Sequence, residues 1–331
     1  MKKVKIGILS FEHMHAFSYA IGLLKLPNVE LVGIWDDQTF RGTEMASKLK
    51  TKYYSDYQEF LKEEMDGVII CTSNVLHKKM AVAAAKAGKH ILVEKPFATN
   101  EEDARAMIEA AKENNVQIMT AFPMRFDTSI LEAKAAVDRG EIGDIISITG
   151  INHGKIPSGW FISKELAGGG AVMDHTVHLA DLMRWFTGSE YTTVYCESGE
   201  LIHNKGIDDC GIVTVEFENG VFGTIDCSWA HHKNYPIWPD IYMRIVGTKG
   251  VLEVDAFKQT QKLVDASTNE IHEIGWGSSA DDGLVKEFVR VVQTGDEPKV
   301  TGIDGTRAME VAIAAYRSTE SHQVEPIVSS I

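Results

Sequence analysis

A lysine at the end of a short apolar stretch is the first residue of this sequence with an evident chemical use. Residues 91–96 read Ile-Leu-Val-Glu-Lys-Pro, which is typical of a buried parallel strand that ends abruptly, since proline cannot continue a hydrogen-bonded ladder. Ligands of open parallel sheets bind beyond the carboxyl ends of the strands. The sequence therefore predicts that Glu94 and Lys95 lie at a ligand site, where they can transfer protons or hold a polar group.

Two acidic side chains and a histidine share one stripe of a later segment. Asp174 and His178 are four residues apart and Asp181 follows three residues later, so on a helix they lie on nearly one face. The residues between them are largely apolar, which indicates that the stripe faces a cavity rather than solvent. The glycines at 168–170 permit a tight backbone entry and place the helix N-terminus close to a ligand. Alone, His178 could equally be a core histidine bonded to either acid, but together with Lys95 it indicates a proton-transfer site.

The elements that would position these groups begin with a strand, a turn, a helix and a second strand. They lie at 4–9, 10–15, 16–26 and 31–35. This order is the outline of a dinucleotide-binding unit, in which an acid after the second strand hydrogen-bonds the adenosine ribose. Asp36 and Asp37 occupy that position and would repel a 2′-phosphate, so the sequence favours NAD over NADP, although Arg41 leaves NADP open. Asp36 alone would equally fit a helix cap or a turn.

The turn after the first strand lacks the glycines of a dinucleotide fingerprint. Glycine there lets the backbone approach the pyrophosphate, whereas residues 10–15 read Ser-Phe-Glu-His-Met-His. A helix N-terminus and a serine hydroxyl can still hold an anion, provided that Glu12 points away from it. The two histidines are equally consistent with surface or capping roles. The cofactor candidates in this turn are Ser10, Phe11, His13 and His15.

Polar residues also follow the next buried strand, which is predicted at 67–72. Their hydroxyl, amide and imidazole groups would face the same crevice and hold a ribose or the nicotinamide amide. The alternative is that Ser73 or Asn74 simply caps a helix. The cofactor candidates at this position are Thr72, Ser73, Asn74 and His77.

Two segments carry a resemblance to a known family. The first reads Ala-Gly-Lys-His-Ile-Leu-Val-Glu-Lys-Pro at 87–96, and the second reads Ala-Gly-Gly-Gly-Ala-Val-Met-Asp at 167–174, followed by His178, Asp181 and Trp185. In this order and separation they resemble the Gfo/Idh/MocA oxidoreductases, the sugar and cyclitol dehydrogenases related to glucose-fructose oxidoreductase and inositol dehydrogenase. The resemblance runs over nearly the whole chain. It implies an NAD(P)-dependent enzyme that transfers a hydride between nicotinamide and a secondary alcohol or ketone of a sugar, a sugar acid or a cyclitol.

The resemblance also implies roles for individual residues. We expect His178 to be the principal acid and base, Lys95 to be its electrostatic partner or proton relay, and Asp174 to be an orienting group. Glu94 is expected to contact the nicotinamide ribose. The substrate candidates are Arg125, His153, Trp160 and His175, with Lys155 and His231 also placed near the nicotinamide pocket.

Three other functions fit parts of the same pattern. A redox-neutral enzyme, such as a glycosidase that uses bound NAD transiently, would need Lys95 and His178 but would form no net NADH. A non-catalytic sensor of a nucleotide or sugar would account for the missing glycines, although the set of Lys95, Asp174 and His178 argues against it. A metal hydrolase would have to be built from His153, His175, His178 and His231, whose spacing matches no common ligand pattern, so no metal is expected.

The strand and helix patterns predict an α/β protein of two domains. Residues 1–122 are expected to form a dinucleotide-binding domain of the Rossmann type, built on a parallel sheet. Residues 123–331 are expected to form an α+β substrate-binding and oligomerisation domain with a mostly antiparallel sheet, in which Asn219-Gly220 indicates a tight hairpin. The C-terminal helices close the structure and can pack back on the first domain. The resemblance implies a homodimer or homotetramer.

Composition narrows the class of partner and the compartment. The chain has 331 residues, 44% of them hydrophobic, and a formal net charge of -14, which disfavours nucleic acid and anionic membranes and favours small molecules as partners. The four cysteines are scattered without a paired motif, which fits reduced thiols. No apolar run approaches the roughly 20 residues needed to span a bilayer, so the protein is expected in the cytoplasm.

Overall fold

Residues 4–120 fold into a parallel sheet flanked by helices. The computed structural model describes residues 3–258, 260–265, 267, 270–275 and 279–331. The strands of this first sheet are β1 (Val4–Leu9), β2 (Val29–Trp35), β3 (Lys52–Tyr54), β4 (Gly67–Ile70), β5 (His90–Val93) and β6 (Ile118–Thr120). Its helices are α1 (His15–Leu24), α2 (Thr39–Leu49), α3 (Tyr57–Leu61), α4 (His77–Lys86) and α5 (Glu101–Glu113). All neighbouring strands are parallel in the order β3-β2-β1-β4-β5-β6, which confirms the predicted Rossmann arrangement.

The chain from residue 128 onward forms a mixed sheet covered by helices on one face. Its strands are β7 (Ile145–Lys155), β8 (Tyr191–Gly199), β9 (Cys210–Phe217), β10 (Phe222–His231), β11 (Tyr242–Gly247), β12 (Val251–Asp255), β13 (Thr260–Asp265), β14 (Glu270–Gly275) and β15 (Glu325–Pro326). Its helices are α6 (Thr128–Asp138), α7 (Lys164–Ala167), α8 (Ala171–Thr187), α9 (Ala280–Thr294) and α10 (Gly302–Ser321). The sheet order is β12-β11-β7-β10-β9-β8-β15, and β13 and β14 form a separate hairpin. The β7 and β10 pair is parallel and the other described pairs are antiparallel, which confirms the predicted second sheet.

The predicted hairpin at Asn219-Gly220 is confirmed. It joins β9 to β10, which pair antiparallel with Phe222 opposite Glu216. The Phe217 N–H donates to the Val221 carbonyl at 2.9 Å, and Gly220 has a φ of +83°. Glycine tolerates this left-handed conformation without steric cost, which is why the pair closes a tight turn.

Both sheets are buried, and this burial holds in place the strands and helices that carry the polar candidate site residues. Every residue of β4 is buried, as expected of a parallel strand covered on both faces. Helix α8 packs against the second sheet at Gly150, where an added Cβ would lie 2.9 Å from both Leu179 and Met183. The small residue in β7 therefore lets α8 lie directly on the sheet, which fixes the position of its polar face.

Helix α9 returns from the second half of the chain to the first sheet. Leu284 and Phe288 belong to the same apolar core as Ile6 and Ile8 of β1. The domain boundary at residue 122, the homodimer or homotetramer and the cytoplasmic location stay predictions. Among the described residues, no helix combines the length and the apolar character needed to cross a bilayer.

Candidate active site

A cavity of about 520 Å³ lies at the carboxyl end of the first sheet, between that sheet and α8. Residues that follow β1 and β5 form one side of it, and residues of α8 form another. Its polar wall residues include His13, His15, Lys95, Asp174, His175 and His178. Folding therefore brings the lysine after β5 to the acid and histidine of α8, as predicted from their spacing.

Lys95 and Asp174 form a buried ion pair at this cavity. Lys95 Nζ donates to Asp174 Oδ1 at 2.5 Å and to the Asp174 main-chain oxygen at 3.2 Å. Asp174 Oδ2 accepts from Trp229 Nε1 at 3.1 Å and lies 3.2 Å from His175 Nε2. Burial alone would raise the pKa of Asp174, but the Lys95 ammonium and His175 hold it well below its usual range. The carboxylate stays charged and fixes the lysine.

His178 lies one helical turn beyond Asp174 and is neutral. Of the first ten residues of α8, Asp174 and His178 are the two that are not fully buried, so this part of the predicted stripe faces the cavity. Nδ1 of His178 is buried and has no hydrogen-bond partner among the described residues. Burial and the nearby Lys95 ammonium lower the pKa of His178 well below its usual range. A neutral imidazole at this position can accept a proton.

Glu94 is fully buried against two histidines of the turn after β1. Its Oε1 lies 3.2 Å from His15 Nδ1 and 3.5 Å from His13 Nδ1. Burial lowers the pKa of His13 to about 3, so this ring is neutral. Burial alone would also lower the pKa of His15, but Glu94 outweighs it and raises that pKa. Of the two histidines, His15 is therefore the one that Glu94 favours in the protonated form.

The glycine-free turn contains a serine in a conformation that glycine usually supplies. Ser10 has a φ of 75°, in the left-handed region. Its hydroxyl accepts the Glu12 N–H at 3.0 Å, and the Glu12 carboxylate in turn accepts the Ser73 N–H at 2.7 Å. The turn therefore keeps a compact path without glycine, and the acidic side chain is fixed at the end of β4.

Asp36 is buried and fully engaged, whereas Asp37 is half-exposed. The Asp36 carboxylate accepts the N–H groups of Phe11 at 2.8 Å and Gln38 at 2.9 Å, and the guanidinium of Arg41 at 2.9 Å. Arg41 also donates to Asp37 Oδ1 at 2.7 Å. The position predicted to bind the adenosine ribose thus holds an arginine neutralised by two acids, and Asp37 is the more accessible of the two carboxylates.

Thr72, Ser73 and Asn74 are buried at the carboxyl end of β4, where the sequence predicts them. Thr72 Oγ1 and Asn74 Oδ1 have no hydrogen-bond partner among the described residues. His77 lies close by but is directed inward, because its ring nitrogens lie 3.0 Å from the Pro96 carbonyl oxygen and 3.3 Å from that of Thr72. The three shorter side chains remain cofactor candidates, while His77 contacts the chain segments behind them.

A second cavity, of about 550 Å³, continues the first past the turn after β1 and reaches Arg41. The two cavities share the wall residues Met14, Pro157, Phe161 and Trp238. An elongated cleft at the carboxyl ends of a Rossmann sheet has the place and shape that a dinucleotide requires. Buried polar atoms that no described residue uses, including Thr72 Oγ1 and His13 Nε2, lie at the same strand ends. The residues present therefore fit a bound NAD.

Arg125 and Asp181 pair with each other outside this cavity. Arg125 Nε donates to Asp181 Oδ2 at 2.8 Å, Nη2 donates to Oδ1 at 2.6 Å, and Nη2 also reaches Asp304 Oδ1 at 3.2 Å. Burial raises the pKa of Asp181 to about 6, although the guanidinium opposes this shift. The sequence places Arg125 at the substrate and Asp181 on the cavity stripe. The structure places neither there, because the two side chains pair with each other, and Arg125 also contacts Asp304.

The other substrate candidates are divided among three places. His175 lines the cavity and donates from Nδ1 to the Asn152 carbonyl at 2.8 Å. Trp160 lines the second cavity instead, where Nε1 donates to the Glu12 carbonyl at 3.3 Å. His153 is absent from both cavity walls, because its side chain is directed to carboxylates on the second sheet.

The glycines before α8 serve packing and capping within the protein. The Asp208 carboxylate accepts the N–H groups of Gly170 and Val172, both at 2.9 Å, and the Tyr316 hydroxyl accepts the Gly170 N–H at 3.0 Å. A Cβ at Gly170 would lie 2.0 Å from the Asp208 main-chain oxygen. Asp208 therefore takes the N–H groups of Gly170 and Val172, so these do not contact a ligand, while Asp174 of the first turn lines the cavity. A ligand close to this helix N-terminus stays a prediction.

Some wall residues have no clear signal in the sequence. Asn152, Asp127 and Trp238 line the cavity from β7, from the start of α6 and from the segment before β11. Asp127 accepts the N–H groups of Ser129 and Ile130, so a capping pattern could have placed it at a helix start. Nothing local distinguishes Asn152 or Trp238, because the pairing of distant strands brings them to the cavity.

Two family models match the chain. The model of the oxidoreductase family with an NAD-binding Rossmann fold matches residues 6–122, which include the glycine-free turn. The model of the GFO/IDH/MocA C-terminal domain matches residues 130–253. The two matches lie on the two sheets described above, in the order of the family.

Individual relatives agree with these models. A myo-inositol 2-dehydrogenase of Thermotoga maritima is 29% identical in an alignment of 334 positions that covers 96% of this chain and 96% of the relative. An uncharacterised oxidoreductase of Streptococcus pneumoniae is 31% identical in an alignment of 271 positions that covers 78% of this chain and 71% of the relative. The crystal structure of a probable dehydrogenase from Thermotoga maritima has a TM-score of 0.85 at 27% identity, covering 98% of this chain and 99% of that one. The chain therefore belongs to the Gfo/Idh/MocA family of oxidoreductases, and residues 6–122 match its NAD-binding Rossmann fold.

Proposed function

We propose that this chain is an NAD-dependent dehydrogenase or reductase that acts on a secondary alcohol or ketone of a sugar, a sugar acid or a cyclitol. The observation that carries the proposal is the cluster of Lys95, Asp174 and His178 at the cavity beyond β5. The name of the Thermotoga maritima relative, a myo-inositol 2-dehydrogenase, supports a cyclitol or similar polyol as substrate. Oxidation of such an alcohol releases a proton together with a hydride, and the cluster can accept that proton.

Proton transfer is assigned to His178. Its ring is neutral because burial and Lys95 lower its pKa, so it can take the hydroxyl proton in oxidation and return a proton in reduction. A bound nicotinamide supplies the hydride acceptor in oxidation and the hydride donor in reduction. Lys95 is held by Asp174 and places a positive charge beside the substrate oxygen as that oxygen becomes negative.

Substrate orientation is assigned to the polar part of the wall outside this cluster. Asn152 lines the cavity, and its Oδ1 is buried without a partner among the described residues. A buried acceptor of this kind is stabilised when a substrate hydroxyl donates to it. Met124, Phe161 and Trp238 form apolar parts of the wall and exclude water from the reacting groups.

The cofactor preference is expected to favour NAD because of the acids after β2. Arg41 is the cation nearest to this position in the second cavity, and Asp36 and Asp37 both engage it. A 2′-phosphate would meet two carboxylates before it could pair with the arginine. Replacing the half-exposed Asp37 removes one of these charges and leaves the buried Asp36 contacts with the turn in place.

Titration with reduced nucleotides tests the proposal directly. NADH should bind saturably with an increase in nicotinamide fluorescence, NADPH should bind at least about tenfold more weakly, and Asp37→Ser should narrow this difference by roughly tenfold, as expected for one charged hydrogen bond. A screen of polyols, cyclitols and sugar acids with NAD should then show NADH formation. Absence of binding by either nucleotide would overturn the proposal in favour of a sensor, and turnover without net NADH would favour the redox-neutral enzyme.

The pH dependence of turnover should reflect the lowered pKa of His178. Burial keeps the folded-state pKa below the imidazole value of 6.5, so the base stays unprotonated at pH 6.5 and is lost only as the pH falls further. The acidic limb of kcat/KM for alcohol oxidation should therefore have its midpoint below pH 6.5, because kcat/KM reports the free enzyme. The measurement is kcat/KM across pH, with NADH binding at each pH as a control for folding. A midpoint above 6.5 would contradict the role assigned to His178.

A further inference from the structure

A cluster of two histidines and two aspartates lies on the second sheet, outside both cavities. His153 belongs to β7, Asp226 and His231 belong to β10, and Asp240 precedes β11. We propose that His153, His231 and Asp240 form a binding site for a zinc-type divalent metal ion. One ligand atom from each of these three residues lies within 4.8 Å of one from each of the others. The proposal is independent of the dehydrogenase activity proposed above.

The distances within the cluster match tetrahedral coordination. Asp240 Oδ2 lies 3.4 Å from His153 Nδ1 and 3.3 Å from His231 Nε2. In a tetrahedral zinc site with bonds of about 2.0–2.1 Å, two ligand atoms are about 3.3–3.4 Å apart. Imidazole nitrogen with one carboxylate suits zinc and its first-row neighbours, whereas calcium and magnesium prefer sites built from oxygen. Two edges of the coordination tetrahedron are therefore already formed.

In His153 and His231, the ring nitrogen that points away from Asp240 has a hydrogen-bond acceptor, as a metal-binding histidine requires. His153 Nε2 lies 3.0 Å from Asp226 Oδ1, and His231 Nδ1 lies 3.2 Å from the Trp238 carbonyl oxygen. Both oxygens can only accept, so these ring nitrogens carry the hydrogens and donate. Such partners fix the tautomer of metal-ligating histidines and are nearly always found behind them. The remaining nitrogen of each ring faces the Asp240 carboxylate, and an ion that binds there would displace any hydrogen on this nitrogen and take its lone pair.

The site is accessible to an ion and has room for a water ligand. The side chains of His153 and Asp240 are 23% and 19% exposed, while His231 is more deeply buried and stacks on Tyr235 with ring centroids 3.8 Å apart. Three protein ligands leave a fourth tetrahedral position, which water can take. The sequence gives no such indication, because the ligands are scattered along the chain and strand pairing brings them together.

A metal ion at this site would hold one wall of the candidate active-site cavity in position. Trp238 and Pro239, directly before Asp240, line that cavity. The Asn152 amide of β7 also donates to the Asp240 carbonyl at 2.7 Å. The ion would tie the segment from 232 to 240 to both β7 and β10, and it would thereby hold Trp238 in position. The inferred role is structural support of substrate binding rather than a part in the chemistry.

Titration of the chelator-treated full-length protein with Co²⁺ tests the site. We expect a saturable visible spectrum of tetrahedral cobalt at one equivalent, which Zn²⁺ displaces. His153→Ala and Asp240→Asn should each weaken Co²⁺ binding by at least about 100-fold, and Asp226→Asn should weaken it by about 10- to 100-fold, as found for residues that orient a metal ligand. His232→Ala is the matched control, since this exposed histidine adjoins His231 but lies outside the cluster.

Two results would overturn the proposal. One is a wild-type protein that gives no tetrahedral cobalt spectrum, which would make the cluster an ion-pair network only. The other is a spectrum that survives in both His153→Ala and Asp240→Asn but disappears in His15→Ala, which would assign the ion to His13, His15 and Glu94. NADH binding is measured on every sample. NADH binding that is retained in the cluster variants would show that these variants fold. If the wild type does not bind NADH, the proposed oxidoreductase function is affected, but the conclusion about the metal site is not.

Discussion

Replacing Lys95 with alanine is expected to lower kcat for polyol oxidation by roughly 10²- to 10⁴-fold, the range for loss of a positioned proton-transfer or charge-stabilising group. The change removes the ammonium that contacts Asp174 Oδ1 at 2.5 Å and that faces the cavity beside His178. Asp174 keeps its contacts with Trp229 and His175, so the site should retain its shape. The measurement is steady-state kcat with the best substrate from the polyol screen, together with the NADH dissociation constant.

Two further variants make the Lys95 result decisive. Lys95→Met keeps most of the side-chain volume without the charge and should lose a similar factor in kcat, which separates charge from packing. Lys86→Ala, at the exposed C-terminal end of α4, is the matched control and should leave kcat unchanged. NADH affinity should change little in all three. A kcat of Lys95→Ala within a few fold of the wild type would remove this lysine from the mechanism.

Arg125→Ala is expected to destabilise the protein by about 3–5 kcal/mol, the cost of leaving a buried charge without its partner. The arginine holds Asp181, which is 1% exposed, through two hydrogen bonds of 2.6 and 2.8 Å. Without the guanidinium, the carboxylate must stay charged in the core or take up a proton. Urea unfolding at pH 8, followed by tryptophan fluorescence, suits this test because the Arg125 guanidinium lies 5.3 Å from the Trp185 ring centroid.

The structure offers a control and a rescue for this prediction. Arg139 forms an exposed ion pair with Glu141, so Arg139→Ala should cost less than about 1 kcal/mol. The double variant Arg125→Met with Asp181→Leu removes both buried charges and should recover most of the lost stability. Equal unfolding midpoints for Arg125→Ala and Arg139→Ala would show that the buried pair does not stabilise the second half of the chain.

That Lys95, Asp174 and His178 come together at one cavity was predictable from sequence, because short-range rules control their placement. Lys95 is at a strand end, and a four-residue spacing places Asp174 and His178 on one helical face. The positions of Arg125 and His153 could not be predicted in the same way. Their positions depend on partners far away in the chain, namely Asp181 for the arginine and two aspartates for the histidine. A list of cationic residues near a predicted pocket cannot distinguish a ligand contact from an internal ion pair.

The turn after β1 shows a second limit of sequence reasoning. Absence of glycine suggests that the backbone cannot follow the usual path of a dinucleotide-binding turn. Ser10 nevertheless takes a positive φ, with its N–H bonded to the Trp35 carbonyl and Glu12 N–H bonded to its hydroxyl. Local hydrogen bonds offset the strain of a left-handed residue, and a single chain does not reveal these bonds in advance. The overall fold was predictable because short apolar strands with regular connections dominate it.

Asp208 and Tyr316 hold the N-terminus of α8 by hydrogen bonds, and this has a consequence for how the substrate range of this fold can be changed. Asp174 and His178, to which we assign orientation and proton transfer, are on a helix whose N-terminus is held by side chains that do not line the cavity. The opposite wall, including Trp238 and Phe257, comes from connecting segments. In the proposed enzyme, proton transfer and this part of the substrate wall are therefore supported by separate parts of the chain. Libraries that vary only these segments should alter which substrate of the proposed class is accepted while leaving Asp174 and His178 in place.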